Sequence, residues 1–104
     1  MNAKDLSTAL EAMQNNAEKA ENMLKMLANS KRLMILCHLV NGEMPVGQLA
    51  DLVGLSSSAL SQHLAKMRDQ GLVDSERRGQ MVYYSISSTE AKTILSTLHD
   101  IYCS

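Results

Sequence analysis

From Leu6 to Leu27 the apolar residues Leu6, Leu10, Met13, Ala17, Ala20, Leu24 and Leu27 recur at intervals of four, three, four, three, four and three. Intervals alternating in this way keep one narrow edge of an α-helix apolar for more than roughly five turns. An edge this narrow lies against another long helix, and in so short a chain the pattern predicts a second protomer as the partner. Asn29-Ser30 then offers a cap, and KRLMILCHLV follows as a helix apolar on nearly every side, which assigns it to the centre of the fold. Asn41-Gly42 is a turn signal, and Pro45 begins a short third helix, VGQLADL, because proline is tolerated in the first helical turn.

Residues 55–73, LSSSALSQHLAKMRDQGLV, read as a fourth helix. Leu60, Leu64 and Met67 form its core stripe, Ser56 is its N-cap, and Gly71 stands where a C-terminal cap is expected. At about 100° per residue, Ser58 and Gln62 lie opposite the stripe, with Ser61 on the flank and Ser57 in the first turn. A small, hydroxyl-rich helix N-terminus lets another surface approach closely, and its free N–H groups favour an anion. After Gly71 the period changes to two. LVDSER and MVYYSI flank Arg78-Gly79-Gln80, which predicts a short β-hairpin. Ser87 to Glu90 has the capping-box pattern and opens a last helix with Ala91, Ile94, Leu95, Leu98 and Ile101 on its apolar face.

The pattern is therefore mainly α with a β-hairpin: four helices, two strands and a final helix in one domain, 1–104. Within it, Ala50, Gly54 and Leu60 fall at relative positions one, five and eleven of a helix-turn-helix spanning 45–70. Small Ala50 and Gly54 permit the close, sharp turn, and Leu60 fills the angle between the helices. The basic hairpin at 72–86 adds a wing.

Composition adds limits. The chain has 104 residues, a net charge of −1 and 45% hydrophobic residues, those of one small globular domain. That charge does not announce a nucleic-acid binder, but Lys66, Arg68, Arg77 and Arg78 cluster while Asp5, Glu11, Glu18 and Glu21 weight the N-terminal segment. With three Tyr and neither Phe nor Trp, there is no aromatic platform for single-stranded nucleic acid. The chain has no glycine-rich phosphate motif and its acids are dispersed, which argues against an enzyme. No run is long and apolar enough to cross a bilayer, and MNAKDLSTALEAMQNN lacks the basic start and apolar block of a secretory signal, so a cytoplasmic location without membrane contact is expected.

The stretch LKMLANSKRLMIL...VGQLADLVGLSSSALSQHLAKMRDQGLVDSERRGQMVYYSI resembles the ArsR/SmtB family of bacterial winged helix-turn-helix regulators, strongly over residues 23–86. The resemblance implies a homodimer with the segments 1–28 and 89–104 at its interface, bound to a pseudo-palindromic double-stranded DNA operator, most simply as a repressor. It implies base reading by Ser57, Ser58, Ser61 and Gln62, with His63 beside them where an aliphatic residue is commoner. Gln62 is chemically best suited, since an amide can pair with adenine. Lys66, Arg68, Arg77 and Arg78 would contact phosphate, and Gln80 at the wing tip joins this DNA-binding set.

Many members of the family sense metals. In the family's cysteine-containing metal box, Pro45 and Gly47 stand at the cysteine positions; at the last-helix site stand Ser88, Glu90, Ile101 and Ser104. Neither set holds a metal, so no cofactor is expected. The only two cysteines, Cys37 in ILC and Cys103 in IYC, match the thiol- and persulfide-sensing HlyU/BigR/SqrR branch. That likeness implies redox sensing by the pair, with a reactive sulfur species or an oxidant as inducer. Taken alone, Cys37 reads as a buried, inert residue and Cys103 as a frayed surface thiol. Two alternatives stay open: a zinc-responsive regulator using Cys37, His99 and Cys103, and a winged-helix module that binds protein.

Overall fold

The computed structural model describes residues 3–103, with backbone only for 3–5; Ser104, named above for the last-helix metal site, lies outside the described residues. Five helices and three short strands follow one another as α1 (Ala3–Leu27), α2 (Ser30–Leu39), β1 (Met44–Pro45), α3 (Val46–Val53), α4 (Ser57–Asp69), β2 (Val73–Arg78), β3 (Met81–Ile86) and α5 (Thr89–Tyr102). The core gathers Ile35, Leu36 and Leu39 of α2, Leu49 and Ala50 of α3, Leu60, Leu64 and Met67 of α4, and Ala91 and Leu95 of α5. The helix-turn-helix, α3 and α4, is thus held on α2 by apolar packing.

Local chemistry explains most boundaries. The Asn29 side chain accepts from the Arg32 N–H at 3.0 Å and starts α2, and Ser56 Oγ accepts from the Ala59 N–H at 3.1 Å and starts α4. Gly54 has φ +69° just past α3, a left-handed conformation that glycine adopts without penalty. At the end of α4, Leu72 N–H bonds to the Met67 carbonyl at 2.9 Å and Gly71 N–H to that of Arg68 at 3.0 Å. With Gly71 at φ +77°, these two bonds make a Schellman cap. Two cations close other helix ends. Arg32 Nε donates to the Met26 carbonyl at 2.7 Å, and Lys31 Nζ donates to that of Val53 at 3.3 Å.

Four expectations need correction. The hairpin has a third strand beside it: β1 pairs antiparallel with β3 (Met44↔Tyr84, Pro45↔Tyr83), giving the order β1-β3-β2. Pro45 belongs to that strand and caps α3, which begins at Val46. The cap of α5 is Ser88, whose Oγ accepts from the Ala91 N–H at 3.1 Å, while Ser87 Oγ donates to the Gly71 carbonyl. The capping-box pattern was therefore one residue early. Lastly, α2 is central but not covered on every side, since Met34, Cys37 and Val40 form an exposed strip within the single chain.

Candidate nucleic-acid interface and thiol pair

The expected base readers share the outer surface of α4. Ser57, Ser58, Ser61 and Gln62 are all exposed: Ser58 and Gln62 lie opposite the core stripe Leu60–Leu64–Met67, Ser61 is on its flank, and Ser57 is in the first turn. With Ser56 consumed as the cap, the hydroxyls of Ser57, Ser58 and Ser61 remain at the surface around the helix N-terminus. His63 sits on the flank, half-buried. Partial burial, then the Arg32 guanidinium and the Lys66 ammonium, hold its imidazole below the usual histidine range, so it is neutral at pH 7.

The basic residues divide into two kinds. Lys66 and Arg68, in the last turn of α4, are exposed, and Arg68 has one loose ion pair with Asp74 at 4.0 Å. Arg77 is exposed and bonds to the Gly79 carbonyl of its own turn at 3.3 Å. Arg78 differs. Its guanidinium donates to both carboxylate oxygens of Glu43, at 2.5 and 2.7 Å, and to Glu76 at 2.9 Å, and lies 4.6 Å from the Tyr83 ring centroid. Expected as a phosphate contact, it is committed within the protein. Glu76 and Arg78 lie two apart on one strand face, so half of this cluster had a local signal. Glu43, far along the chain in the loop before β1, had none.

The wing turns through Gly79-Gln80, with Arg78 opposite Met81 and Gly79 at φ +63°, the place a two-residue hairpin turn gives to glycine. A cleft of about 510 Å³ separates the hairpin from the helix-turn-helix, and its walls bring Ser61 and Gln80 to one opening.

The two cysteines are on a different surface. Both are free and exposed in the single chain, which overturns the buried reading of Cys37. Cys37 opens into a cavity of about 430 Å³ between α2 and α5, lined also by Val40, Asn41, Leu95, Ser96 and His99. Burial of part of its surface raises the Cys37 thiol pKa, and the nearby Cys103 raises it further. Cys37, His99 and Cys103 do not make a three-ligand metal group, nor do any other His, Cys, Asp or Glu side chains among the described residues. The apolar seam of α1 is uncovered in the single chain: Leu10 is 62% and Leu24 60% exposed, and only Leu27 of the seam is buried.

Residues 29–75 match the sequence profile of the bacterial regulatory proteins of the arsR family. The chain is 48% identical over 94 residues to the transcriptional activator HlyU of Vibrio cholerae, covering 90% of this chain and 87% of that one. It belongs to the ArsR family. It is also 34% identical over 93 residues to the biofilm growth-associated repressor of Xylella fastidiosa, covering 89% and 82% of the two chains. The solved structure of reduced HlyU from Vibrio cholerae superposes with a TM-score of 0.85 at 47% identity, over 90% of this chain and 99% of that one. As an ArsR-family winged helix-turn-helix, the protein is a DNA-binding transcriptional regulator and not an enzyme. No helix among the described residues is long and apolar enough to cross a membrane.

Proposed function

We propose that this ArsR-family regulator is a homodimer that represses transcription from a pseudo-palindromic operator and releases it when Cys37 and Cys103 are modified. The observation that carries the DNA half is the outer face of α4, where three hydroxyls and the Gln62 amide stand clear of the core beside Lys66 and Arg68. Gln62 reads a base edge bidentately, Ser57, Ser58 and Ser61 allow close approach, and neutral His63 adds a hydrogen-bonding edge on the flank. Lys66, Arg68 and Arg77 bind phosphate and fix register, while Gln80 follows the backbone at the wing. Two α4 helices in a dimer require half-sites about 34 Å apart. Support for the dimer comes from the α1 seam, which this chain leaves exposed, and from exposed Ile101 and Tyr102 at the end of α5.

For the switch, support comes from two free, exposed thiols, Cys37 opening into the α2–α5 cavity and Cys103 at the C-terminal cap of α5. Cys103, at the open end of α5, attacks an organic trisulfide as thiolate, forming a mixed disulfide and expelling a persulfide anion. Cys37 then gives up its proton and attacks the Cys103 sulfur. A Cys37–Cys103 disulfide forms and a thiol leaves with the proton; the cysteine pair is oxidised by two electrons and the sulfur reagent is reduced. A bond between the central and last helices changes the interface at which the two reading heads are spaced.

The test of the reading face is Gln62→Ala. A duplex selected from a random pool by the wild-type protein should lose most of its advantage over random duplex, by about tenfold or more, at fixed salt. A variant that discriminates as well as wild type would remove Gln62 from the reading face.

A further inference from the structure

The wing carries two adjacent arginines, and their surroundings differ. Arg77 lies on one face of β2 with a single bond to its own turn. On the other face, Arg78 fills both oxygens of Glu43, one oxygen of Glu76 and the space over Tyr83. A guanidinium fork on a carboxylate is the arrangement that a phosphate would otherwise take, so the Arg78 side facing these groups is already occupied. The local charge of Arg78 with Glu43 and Glu76 sums to −1, which repels a phosphate instead of drawing it in.

Position in the fold says what the cluster holds. Glu43 directly precedes β1, and β1 runs directly into α3, the first helix of the helix-turn-helix. Arg78 is at the far end of β2, at the hairpin turn. The ladder from β1 reaches β3 only at Tyr83 and Tyr84. The outer part of the hairpin is thus joined to the start of α3 by the Arg78–Glu43 pair, with Tyr83, itself paired to Pro45, beneath the guanidinium.

Resting on the DNA-binding reading above, we propose that Arg78 is a positioning residue: with Glu43 as anchor it latches the wing to the helix-turn-helix, and the wing's phosphate contact belongs to Arg77. The latch sets the angle at which the wing meets DNA once α4 is in the groove, and Glu76 keeps the guanidinium extended across the strand toward Glu43.

The test has one arm without DNA and one with it. In the free protein, Arg78→Ala, Arg78→Lys and Glu43→Gln should each speed amide hydrogen exchange in the hairpin about threefold or more, and Arg78→Ala with Glu43→Gln no more than either alone. Lysine fails here because it keeps the charge but not the fork. With a duplex selected from a random pool by the wild-type protein, Arg77→Ala should flatten the log–log salt dependence by about 0.9 per protomer contact. Arg78→Ala should leave that slope alone and weaken binding by about fivefold at every salt concentration, as loss of one geometric restraint does. Unchanged hairpin exchange in the variants would overturn the latch. So would a slope that Arg78→Ala flattens as Arg77→Ala does, or tighter binding by Glu43→Gln, because Arg78 would then be a phosphate contact held in check. A wild-type protein that selects no duplex would sink the DNA reading, and the exchange result would then decide the latch by itself.

Discussion

Ser56, Ser57 and Ser58 are neighbours with separate duties. Ser56 accepts a bond from the Ala59 N–H and is part of the fold; Ser57 and Ser58 have no place in the core and face outward. Ser56→Ala should therefore cost about 1 kcal/mol of stability in denaturant unfolding, and Ser57→Ala or Ser58→Ala much less. An equal loss at all three would contradict this division. The cysteines also separate at this scale. Because burial and Cys103 both raise the Cys37 thiol pKa, its thiolate forms at higher pH than an ordinary cysteine's. Alkylation followed residue by residue should find Cys37 slower than Cys103 at pH 7, with a rate that keeps rising at pH values where that of an ordinary cysteine has levelled off. A Cys37 that reacts faster at neutral pH would reverse the order of attack proposed for the switch.

Among the elements, α1 exposes most of the apolar edge that its sequence builds. A helix of 25 residues that buries only Leu27 of that seam gains little from its own chain, and Ile101 and Tyr102 at the end of α5 are 63% and 80% exposed. Leu10→Glu should then turn the proposed dimer into monomer in sedimentation, while the α2–α4 core keeps its circular dichroism. A dimer that survives the charge would move the interface elsewhere. The periodic elements were legible because their signals are local: the heptad seam of α1, Ser56 and Gly71 bracketing α4, and the period-two hairpin about Gly79. β1 was not, since two residues are too few for a period, and Pro45 carried an equally good helix-start signal. Ser87 and Ser88 are both competent caps, and only the Ser87–Gly71 contact across the fold decides between them. The open side of α2 was hidden for a similar reason. Met34, Cys37 and Val40 are as apolar as the residues that the core covers, and which side receives neighbours is decided by α1, α3, β3 and α5, not by α2.

For the molecule as a whole, the outer face of α4 with Ser58 and Gln62 was visible in the sequence, because exposure on a helix follows from the angle to its core stripe. The latch of Arg78 was not, because Glu43 reaches it only through the β1–β3 pairing. The molecule is a body of 55 × 30 × 21 Å, and the proposal gives it two separate surfaces: α4 and the wing for DNA, and the exposed α1 seam with the two thiols for a second protomer and a signal. The proposal's central claim is that these surfaces communicate. The most direct measurement is affinity for a duplex selected from a random pool by the reduced protein, at fixed salt, before and after treatment with an organic polysulfide, for wild type and Cys103→Ser. Tight binding by the reduced protein is expected, with a loss of about tenfold or more on treatment and no loss in the variant, which cannot close the bond. Treated wild-type protein that carries the Cys37–Cys103 disulfide yet binds as tightly as before would contradict that claim.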